Sequence, residues 1–281
     1  MRYKSILLIG GSGALGQQLA KVFVDQPLTV WTRAQVDITN ESALRSGIEA
    51  VKPDLIINAA AYNDVDGAET DSTLAFAINA TAVGVMAATA RELGADFVTY
   101  STDYVFDGEA QDGYDESATP YPINVYGESK LQGERLAQEQ GGKVWLIRVS
   151  RLFGPQGSGA SAKENFPDKM LKLAQTRPRL EVINDVLSTP TYTVDVAQAT
   201  RALLERETSP GIYHLINEGT GSWYDIAQET FRIKQIAVEV VPVSQTKFPV
   251  KAKRPANSTL LNTKLPKLRS WQEALKEYLE S

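Results

Sequence analysis

Short apolar runs alternate with longer amphipathic stretches through the first half of the chain. The runs have the length of buried strands, and the stretches between them repeat apolar residues at the spacing of one helix face. We predict strands at Ile6–Ile9, Leu28–Trp31, Leu55–Asn58, Phe97–Ser101 and Val144–Val149. We predict helices at Ala14–Val24, Glu41–Val51, Ser72–Leu93 and Val125–Glu139. This alternation predicts an α/β fold with a doubly wound parallel sheet of the Rossmann type.

The pattern becomes irregular after the fifth predicted strand. Small residues fill Pro155–Ala162, which we predict to be a loop that can close over a ligand. Further elements are predicted at Phe166–Gln175 (helix), Leu180–Ile183 (strand) and Val194–Glu205 (helix). Prolines interrupt the tail at positions 242, 249, 255 and 266, so we expect short elements there. We predict a dinucleotide-binding domain of residues 1–150, with 178–208 returning to it, and a smaller C-terminal substrate-binding lobe of residues 151–177 and 209–281.

Composition restricts the class of partner. The 281 residues are 43% hydrophobic and 22% charged, which is typical of globular proteins. A net charge of −5 disfavours nucleic acids and membrane surfaces as partners, because both select basic faces. The first apolar run is too short for a signal peptide, and we predict no membrane-spanning segment. We therefore expect a cytoplasmic protein that acts on a small molecule.

The chain contains no cysteine, which excludes disulfides, thiolate nucleophiles and cysteine-based zinc sites. No metal-binding set of residues is predicted. Redox chemistry in this chain would therefore need an organic cofactor.

A glycine-rich segment, Gly10–Gly16, follows the first predicted strand and opens the first predicted helix. Gly10 allows a tight turn, Gly13 lets the backbone approach a pyrophosphate, and Gly16 lets the helix pack against the strand. The pattern alone is weak, but its place between strand and helix predicts a dinucleotide site at the helix N-terminus. Cofactor contacts are predicted for Gly10, Ser12, Gly13, Ala14, Leu15 and Gly16.

The second predicted strand ends at Trp31 and is followed by Thr32 and Arg33. NAD sites usually carry a carboxylate here, whereas an arginine forms paired hydrogen bonds with a 2′-phosphate. We therefore predict NADPH, with NADH as an alternative. Asp37 is expected to cap the next turn and, with Ile38, to meet the adenine edge, or to serve only as a turn residue.

Tyr126 and Lys130 are four positions apart and should share one face of a helix. A phenol is a poor acid-base group near neutral pH unless a nearby cation, here Lys130, favours its phenolate form. Thr102 and Asp103 follow the fourth predicted strand at the carboxyl edge of the sheet, where open α/β folds bind ligands. A Tyr-x-x-x-Lys pair alone usually marks a solvated helix face. Together with the glycine turn and Thr102, it predicts carbonyl reduction, in which Tyr126 supplies the proton.

Seven segments carry a further recognisable pattern: Asn58–Tyr62, Ser101–Gly108, Tyr126–Lys130, Asn165–Phe166, Gly211–His214, Ser222–Tyr224 and Lys253–Ser258. Nearly end to end, the chain resembles the dTDP-4-dehydrorhamnose reductase family of the extended short-chain dehydrogenase/reductases. The resemblance implies a catalytic set of Thr102, Tyr126 and Lys130. Additional cofactor contacts are expected from Ala59, Ala60, Ala61, Tyr62, Asn79, Tyr126 and Lys130. Sugar-nucleotide contacts are expected from Val65, Thr102, Asp103, Asn165, Phe166, Trp223, Arg254 and Asn257.

The resemblance implies NADPH-dependent reduction of the 4-keto group of a nucleotide-linked deoxysugar, most closely dTDP-4-dehydro-L-rhamnose. Arg254 is the expected ligand of the pyrophosphate. Arg151 departs from the pattern, because family members often have a tryptophan there, near the sugar. The exact sugar and nucleotide therefore stay open, as do product stereochemistry, magnesium use and oligomeric state, a homodimer included.

Two alternatives remain at this stage. One is a nucleotide-sugar epimerase or dehydratase on the same fold, but dehydratases typically follow the threonine with Asp-Glu, and here Asp103 and Tyr104 follow Thr102. Epimerases retain NAD, whereas Arg33 favours exchangeable NADPH. The other is a non-catalytic NADP-binding regulatory subunit, which would have no need of Tyr126 and Lys130. The single histidine, His214, lies in an apolar run and is expected to be structural.

Overall fold

A computed structural model describes residues 3–159 and 164–281. Its strands are β1 (Ile6–Ile9), β2 (Leu28–Trp31), β3 (Leu55–Asn58), β4 (Asp96–Thr102), β5 (Val144–Val149), β6 (Leu152–Phe153), β7 (Arg179–Ile183), β8 (Thr191–Tyr192), β9 (Gly211–His214) and β10 (Glu239–Val243). Its α-helices are α1 (Ala14–Val22), α2 (Glu41–Val51), α3 (Val65–Ala68), α4 (Ser72–Phe76), α5 (Ala82–Leu93), α6 (Val125–Glu139), α7 (Phe166–Ala174), α8 (Thr193–Glu205), α9 (Trp223–Lys234) and α10 (Trp271–Glu280).

The main sheet is parallel throughout and has the strand order β2-β1-β3-β4-β5-β9. Its central strands β1, β3, β4 and β5 are buried along their whole length, because helices cover both faces. Helices α1 and α8 pack on one face, and α2, α5 and α6 pack on the other. The predicted doubly wound sheet is confirmed. Its carboxyl edge collects the ends of β1, β2, β3 and β4, and predicted site residues lie at or directly after each of these ends.

Most element boundaries match the prediction within two residues, but the predicted helix Ser72–Leu93 is not uniform. It contains a π-helical turn, Ala77–Thr81, between α4 and α5. This 22-residue stretch, which contains an 18-residue window with a mean hydropathy of 1.6, is long and apolar enough to cross a membrane by length and composition alone. In the fold, 61% of its apolar window is buried and it packs against α2, α6 and the sheet, as the core helix of a globular domain does.

The smaller lobe is built on β7 and β10, which pair with each other and are covered by α7 and α9. Strand β7 alternates exposed and buried residues, the pattern of a sheet covered on one face. Strand β7 therefore lies in the lobe, although residues 178–208 were predicted to return to the nucleotide-binding domain. Within that range, α8 does return to this domain and packs on α1. Conversely, β9 pairs with β5 as the sixth strand of the main sheet, so residues 211–214 lie outside the lobe to which they were assigned.

A buried ion pair fixes α6 to the main sheet. Arg148 on β5 donates to both carboxylate oxygens of Glu134 on α6, at 3.0 and 2.7 Å, and the two side chains are 1% and 3% exposed. Removing one partner leaves the other charged and buried. We expect Glu134→Gln to lower the free energy of unfolding by roughly 3–5 kcal/mol, measured by denaturant titration. Glu205→Gln, at an exposed pair with Arg201, is the matched control and should change it little. Equal losses in the two variants would contradict this role.

Candidate active site

The glycine turn after β1 has no room for a side chain at Gly10 or Gly16. A Cβ atom on Gly10, whose φ is +88°, would lie 2.5 Å from the Ala60 nitrogen, and one on Gly16 would lie 2.2 Å from the Gly10 oxygen. The loop after β3 thus lies directly against the turn. Helix α1 begins immediately after Gly13 with no side-chain cap and no acidic residue in its first turn. These features fit a dinucleotide, whose pyrophosphate can approach the backbone and meet the helix amides.

The loop after β6 lies on the same turn. The Ser158 and Gly159 amides donate to the Ser12 carbonyl oxygen at 2.9 and 3.2 Å. A Cβ atom on Gly157 would be 2.6 Å from that oxygen, so only glycine allows this approach. The described part of the predicted loop, residues 155–159, therefore contacts the glycine turn. Its remaining residues, 160–162, lie outside the described residues.

The residues after β2 form an exposed turn. Both the amide and the hydroxyl of Thr32 donate to Gln35 Oε1, at 2.8 and 2.6 Å. Arg33 is exposed beside them. Asp37 accepts hydrogen bonds from the Thr39 hydroxyl and amide, and these bonds hold its pKa below the usual value. Asp37 therefore has the turn role that was predicted for it, and Arg33 remains the predicted ligand of a 2′-phosphate. Ile38 packs against the core under α2.

Asn79, in the π-helical turn, links the cofactor loop to α6. Its side chain accepts from the Tyr62 amide at 2.9 Å and donates to the Tyr62 carbonyl and to the Ser129 hydroxyl, each at 3.0 Å. Ser129 in turn donates to the Tyr126 carbonyl at 2.7 Å. Gly133 allows α6 to approach the π-helical turn closely, because a Cβ there would lie 2.0 Å from the Asn79 backbone carbonyl oxygen. Asn79 thus fixes the Ala59–Tyr62 loop relative to α6, the helix that carries Tyr126.

Tyr126, Lys130 and Thr102 lie at the carboxyl edge of the sheet. The Thr102 hydroxyl lies close enough to the Tyr126 phenol to act on its pKa. The Lys130 ammonium donates to the Tyr100 carbonyl at 2.7 Å. Burial lowers the pKa of Lys130 to about 8. Burial also raises the pKa of Tyr126, against a smaller opposing effect of Thr102. This is the opposite of the predicted depression by Lys130, and it keeps the phenol protonated, as a proton donor must be.

Asp103 lies behind this group as a buried acceptor. Its Oδ1 accepts from Thr102 at 3.0 Å, and its Oδ2 accepts from Ser150 at 2.9 Å and from Ser258 at 2.5 Å. Burial raises the pKa of Asp103, and the three hydroxyl bonds oppose that rise. Because its carboxylate accepts from both segments, Asp103 joins Ser150, after β5, to Ser258, in the C-terminal segment. Neither serine was predicted as a site residue, since nothing in local spacing connects them to Asp103.

Aromatic residues of the lobe line the same edge. The Trp223 and Phe166 rings lie 4.6 Å apart, and the guanidinium carbon of Arg151 lies 4.1 Å from the Trp223 ring centroid. Tyr104 makes an edge contact with Tyr126, at 5.9 Å between ring centroids. The predicted residues Phe166 and Trp223 are therefore together, and Arg151 lies between them and the sheet edge.

Three predicted substrate ligands have protein partners instead. Arg254 forms an ion pair with Asp66 at 2.7 Å, in α3, which begins at the predicted residue Val65. Asn165 donates to the Gly154 carbonyl at 2.6 Å. The Asn257 side-chain amide donates to the Ala110 carbonyl at 2.9 Å. Direct substrate contacts by these three residues therefore stay predictions, and the charge of Arg254 is already paired.

His214 is fully buried, its Nδ1 lies 2.9 Å from the Leu261 carbonyl, and burial lowers its pKa to about 4. It is a neutral structural residue, as expected from the sequence. Across residues 3–159 and 164–281, no cluster of three or more histidine, aspartate or glutamate side chains is arranged to hold a metal ion.

Comparison with known proteins finds relatives along almost the whole chain. A family model described as "RmlD substrate binding domain" matches residues 4–281. The dTDP-4-dehydrorhamnose reductase of Aggregatibacter actinomycetemcomitans is 37% identical over 96% of this chain and 97% of its own length. That of Escherichia coli K12 is 35% identical over 98% and 97%, respectively. The crystal structure of Bacillus anthracis dTDP-4-dehydrorhamnose reductase in complex with NADP matches with a TM-score of 0.92 at 33% identity, covering 99% of both chains.

Proposed function

This chain belongs to the RmlD family of dTDP-4-dehydrorhamnose reductases, and on that basis we propose that it reduces the 4-keto group of dTDP-4-dehydro-L-rhamnose to give dTDP-L-rhamnose, with NADPH as reductant. The observation that carries the proposal is the place of the Tyr126 phenol, which lies near the Thr102 hydroxyl at the same carboxyl edge of the sheet as the glycine turn. A protonated phenol at that place is what carbonyl reduction requires.

We assign the residues as follows. The glycine turn, the Ala59–Tyr62 loop and the Thr32–Arg33 turn would hold the dinucleotide, which would supply a hydride for the carbonyl carbon. Tyr126 donates its proton to the carbonyl oxygen. Lys130 places a positive charge near the phenolate that results, and that charge stabilises it. Thr102 orients the phenol and is itself oriented by Asp103.

The large domain would hold the cofactor and the lobe built on β7 and β10 would hold the sugar nucleotide. Trp223 and Phe166, predicted substrate contacts whose rings pack together, would line the cleft between them. The predicted cytoplasmic location and homodimer are retained as proposals.

The alternative reactions make different demands on this site. A dehydratase needs a second acid-base group beside the threonine, but Asp103 is buried and bonded to three hydroxyls, and Tyr104 follows it. A regulatory subunit would show NADPH binding without turnover. These demands separate the alternatives in one assay.

The direct test is NADPH oxidation with dTDP-4-dehydro-L-rhamnose, with the sugar product identified by NMR. We expect turnover to dTDP-L-rhamnose, and no reaction with dTDP-L-rhamnose and NADPH. Tight NADPH binding without oxidation would favour the regulatory alternative. Loss of water or inversion of the sugar without net oxidation of NADPH would favour the dehydratase or epimerase.

The reaction should depend on pH through Lys130. Its pKa of about 8 means that the ammonium is present below that pH and is lost above it. We therefore expect kcat/KM for reduction to be constant at neutral pH and to fall as pH rises past about 8, as measured by a pH-rate profile of the free enzyme. Lys130→Arg keeps a cation at higher pH and should shift the fall upwards. An unchanged profile in that variant would assign the fall to another group.

A further inference from the structure

Arg151 lies at the same sheet edge as the proton-donating group. It follows β5 by two residues, and Val149, the last residue of β5, pairs with Thr102 in the sheet register. Ser150, between them, donates to Asp103. The backbone of Arg151 therefore starts beside the residues that deliver the proton.

The Arg151 side chain is held in one orientation. Its Nη1 donates to the Gly221 carbonyl at 3.0 Å and its Nη2 donates to the Val186 carbonyl at 3.2 Å. Its guanidinium stacks on Trp223. The backbone has a φ of +39°, a left-handed conformation that is uncommon for residues other than glycine, asparagine and aspartate. Such a position is maintained only when the surrounding structure fixes it, and strained residues of this kind cluster at ligand sites.

This cation has no carboxylate partner within ion-pair distance among the described residues. The other arginine at this end of β5, Arg148, is neutralised by Glu134. The two carboxylates whose charges act on Arg151 already have hydrogen-bond partners. Asp103 accepts from three hydroxyls, and Asp225 accepts from the Ser222 amide and hydroxyl. Charged side chains are rarely buried without a partner. Because Arg151 remains partly accessible, a ligand can reach it.

We propose that Arg151 is a specificity-determining residue that donates hydrogen bonds to oxygens of the hexose, an inference that rests on the proposed function. The carbonyl must lie within hydrogen-bond reach of Tyr126. Tyr104 makes an edge contact with Tyr126. Burial raises the pKa of Tyr104, and the positive charge of Arg151 is near enough to oppose that rise. The sugar ring therefore occupies the space between the phenol and the guanidinium. A planar guanidinium fits paired ring oxygens, whereas an aromatic residue would offer only a packing face.

Calorimetric binding tests this directly and needs no turnover. Three ligands are compared: dTDP, dTDP-L-rhamnose and NADPH. We expect Arg151→Gln to weaken dTDP-L-rhamnose binding by about 10- to 100-fold, the effect of a lost hydrogen bond to a charged group, and to change dTDP and NADPH binding by less than about threefold. Arg151→Lys should be intermediate, because it keeps the charge and loses the planar donor pair. The control is Arg232→Gln, an exposed residue of α9 paired with Glu229, and it should change none of the three.

Three results would overturn the proposal. Equal weakening of dTDP and dTDP-L-rhamnose would place the guanidinium on the diphosphate. A parallel loss of NADPH affinity would make Arg151 a support for the lobe. Unchanged binding of all three ligands would mean that it contacts none of them. Failure of the reaction itself is seen separately: a wild-type protein that binds dTDP-L-rhamnose through Arg151 but does not oxidise NADPH with the keto sugar would contradict the proposed function alone.

Discussion

Tyr126→Phe is expected to lower kcat/KM for the keto sugar by roughly 10²- to 10⁴-fold, the usual contribution of a positioned general acid. The phenyl ring can keep the edge contact with Tyr104, so the loss isolates the hydroxyl. The effect should fall on the chemical step, because the hydroxyl acts on charge that develops in the transition state. Steady-state and single-turnover NADPH oxidation would measure it.

The control for this substitution is Tyr121→Phe. Tyr121 lies five positions earlier and is 70% exposed, so loss of its hydroxyl should leave the rate unchanged. NADPH affinity of the Tyr126→Phe protein should stay within about threefold of wild type, since a single hydrogen bond to the cofactor contributes little. If wild type and Tyr126→Phe consume NADPH equally, another group supplies the proton and the proposed mechanism is wrong.

The parts of the site that depend on local spacing could be predicted from the sequence. The glycine turn is recognisable because strand, turn and helix are adjacent in the chain. Tyr126 and Lys130 are recognisable because one helical turn separates them. The fold, the oxidoreductase class and the NADPH cofactor were predicted on this basis, and the family was predicted from the resemblance of whole segments; all four are confirmed by the relatives.

The parts that depend on distant segments could not be predicted. Ser258 reaches Asp103 across 155 positions, and Asp66 pairs with Arg254 across 188. No periodicity connects such residues, so Arg254 was predicted as the pyrophosphate ligand without its partner Asp66, and no site role was predicted for Ser258. The order of the sheet could not be predicted for the same reason, because β9 pairs with β5 although β6, α7, β7, β8 and α8 separate them in the chain.

The direction of the Tyr126 pKa shift was a different kind of error. Sequence reasoning placed a cation beside a phenol and applied the charge effect, which lowers the pKa. Burial acts on the same group in the opposite direction and is the largest effect on its pKa in this site, where the opposing effect is that of the Thr102 hydroxyl. Depth in the fold is a tertiary property, so the competition between the two effects could not be decided from residue spacing. The reductive direction benefits, because the proton must be present before it can be given.

Gly13→Ala and Gly16→Ala should separate cofactor binding from folding within one turn. At Gly13 the φ is −71° and the nearest atom to an added Cβ is the Gly10 oxygen at 3.4 Å, so the variant should unfold at nearly the wild-type temperature. If the pyrophosphate approaches the backbone there, NADPH affinity should nevertheless fall by roughly 10- to 100-fold, the effect of about 1–3 kcal/mol of overpacking. Fluorescence titration of NADPH measures it.

Gly16→Ala should lose both properties. Its Cβ would lie 2.2 Å from the Gly10 oxygen and 2.9 Å from the Gly10 carbonyl carbon, so the backbone of the turn must move even without a ligand. We expect a lower unfolding temperature together with a loss of NADPH affinity at least as large as that of Gly13→Ala. A Gly13→Ala protein that binds NADPH as wild type does would place the pyrophosphate away from this turn. The dinucleotide that would supply the hydride would then bind elsewhere. The position of Tyr126 near the glycine turn would no longer support its role as the proton donor.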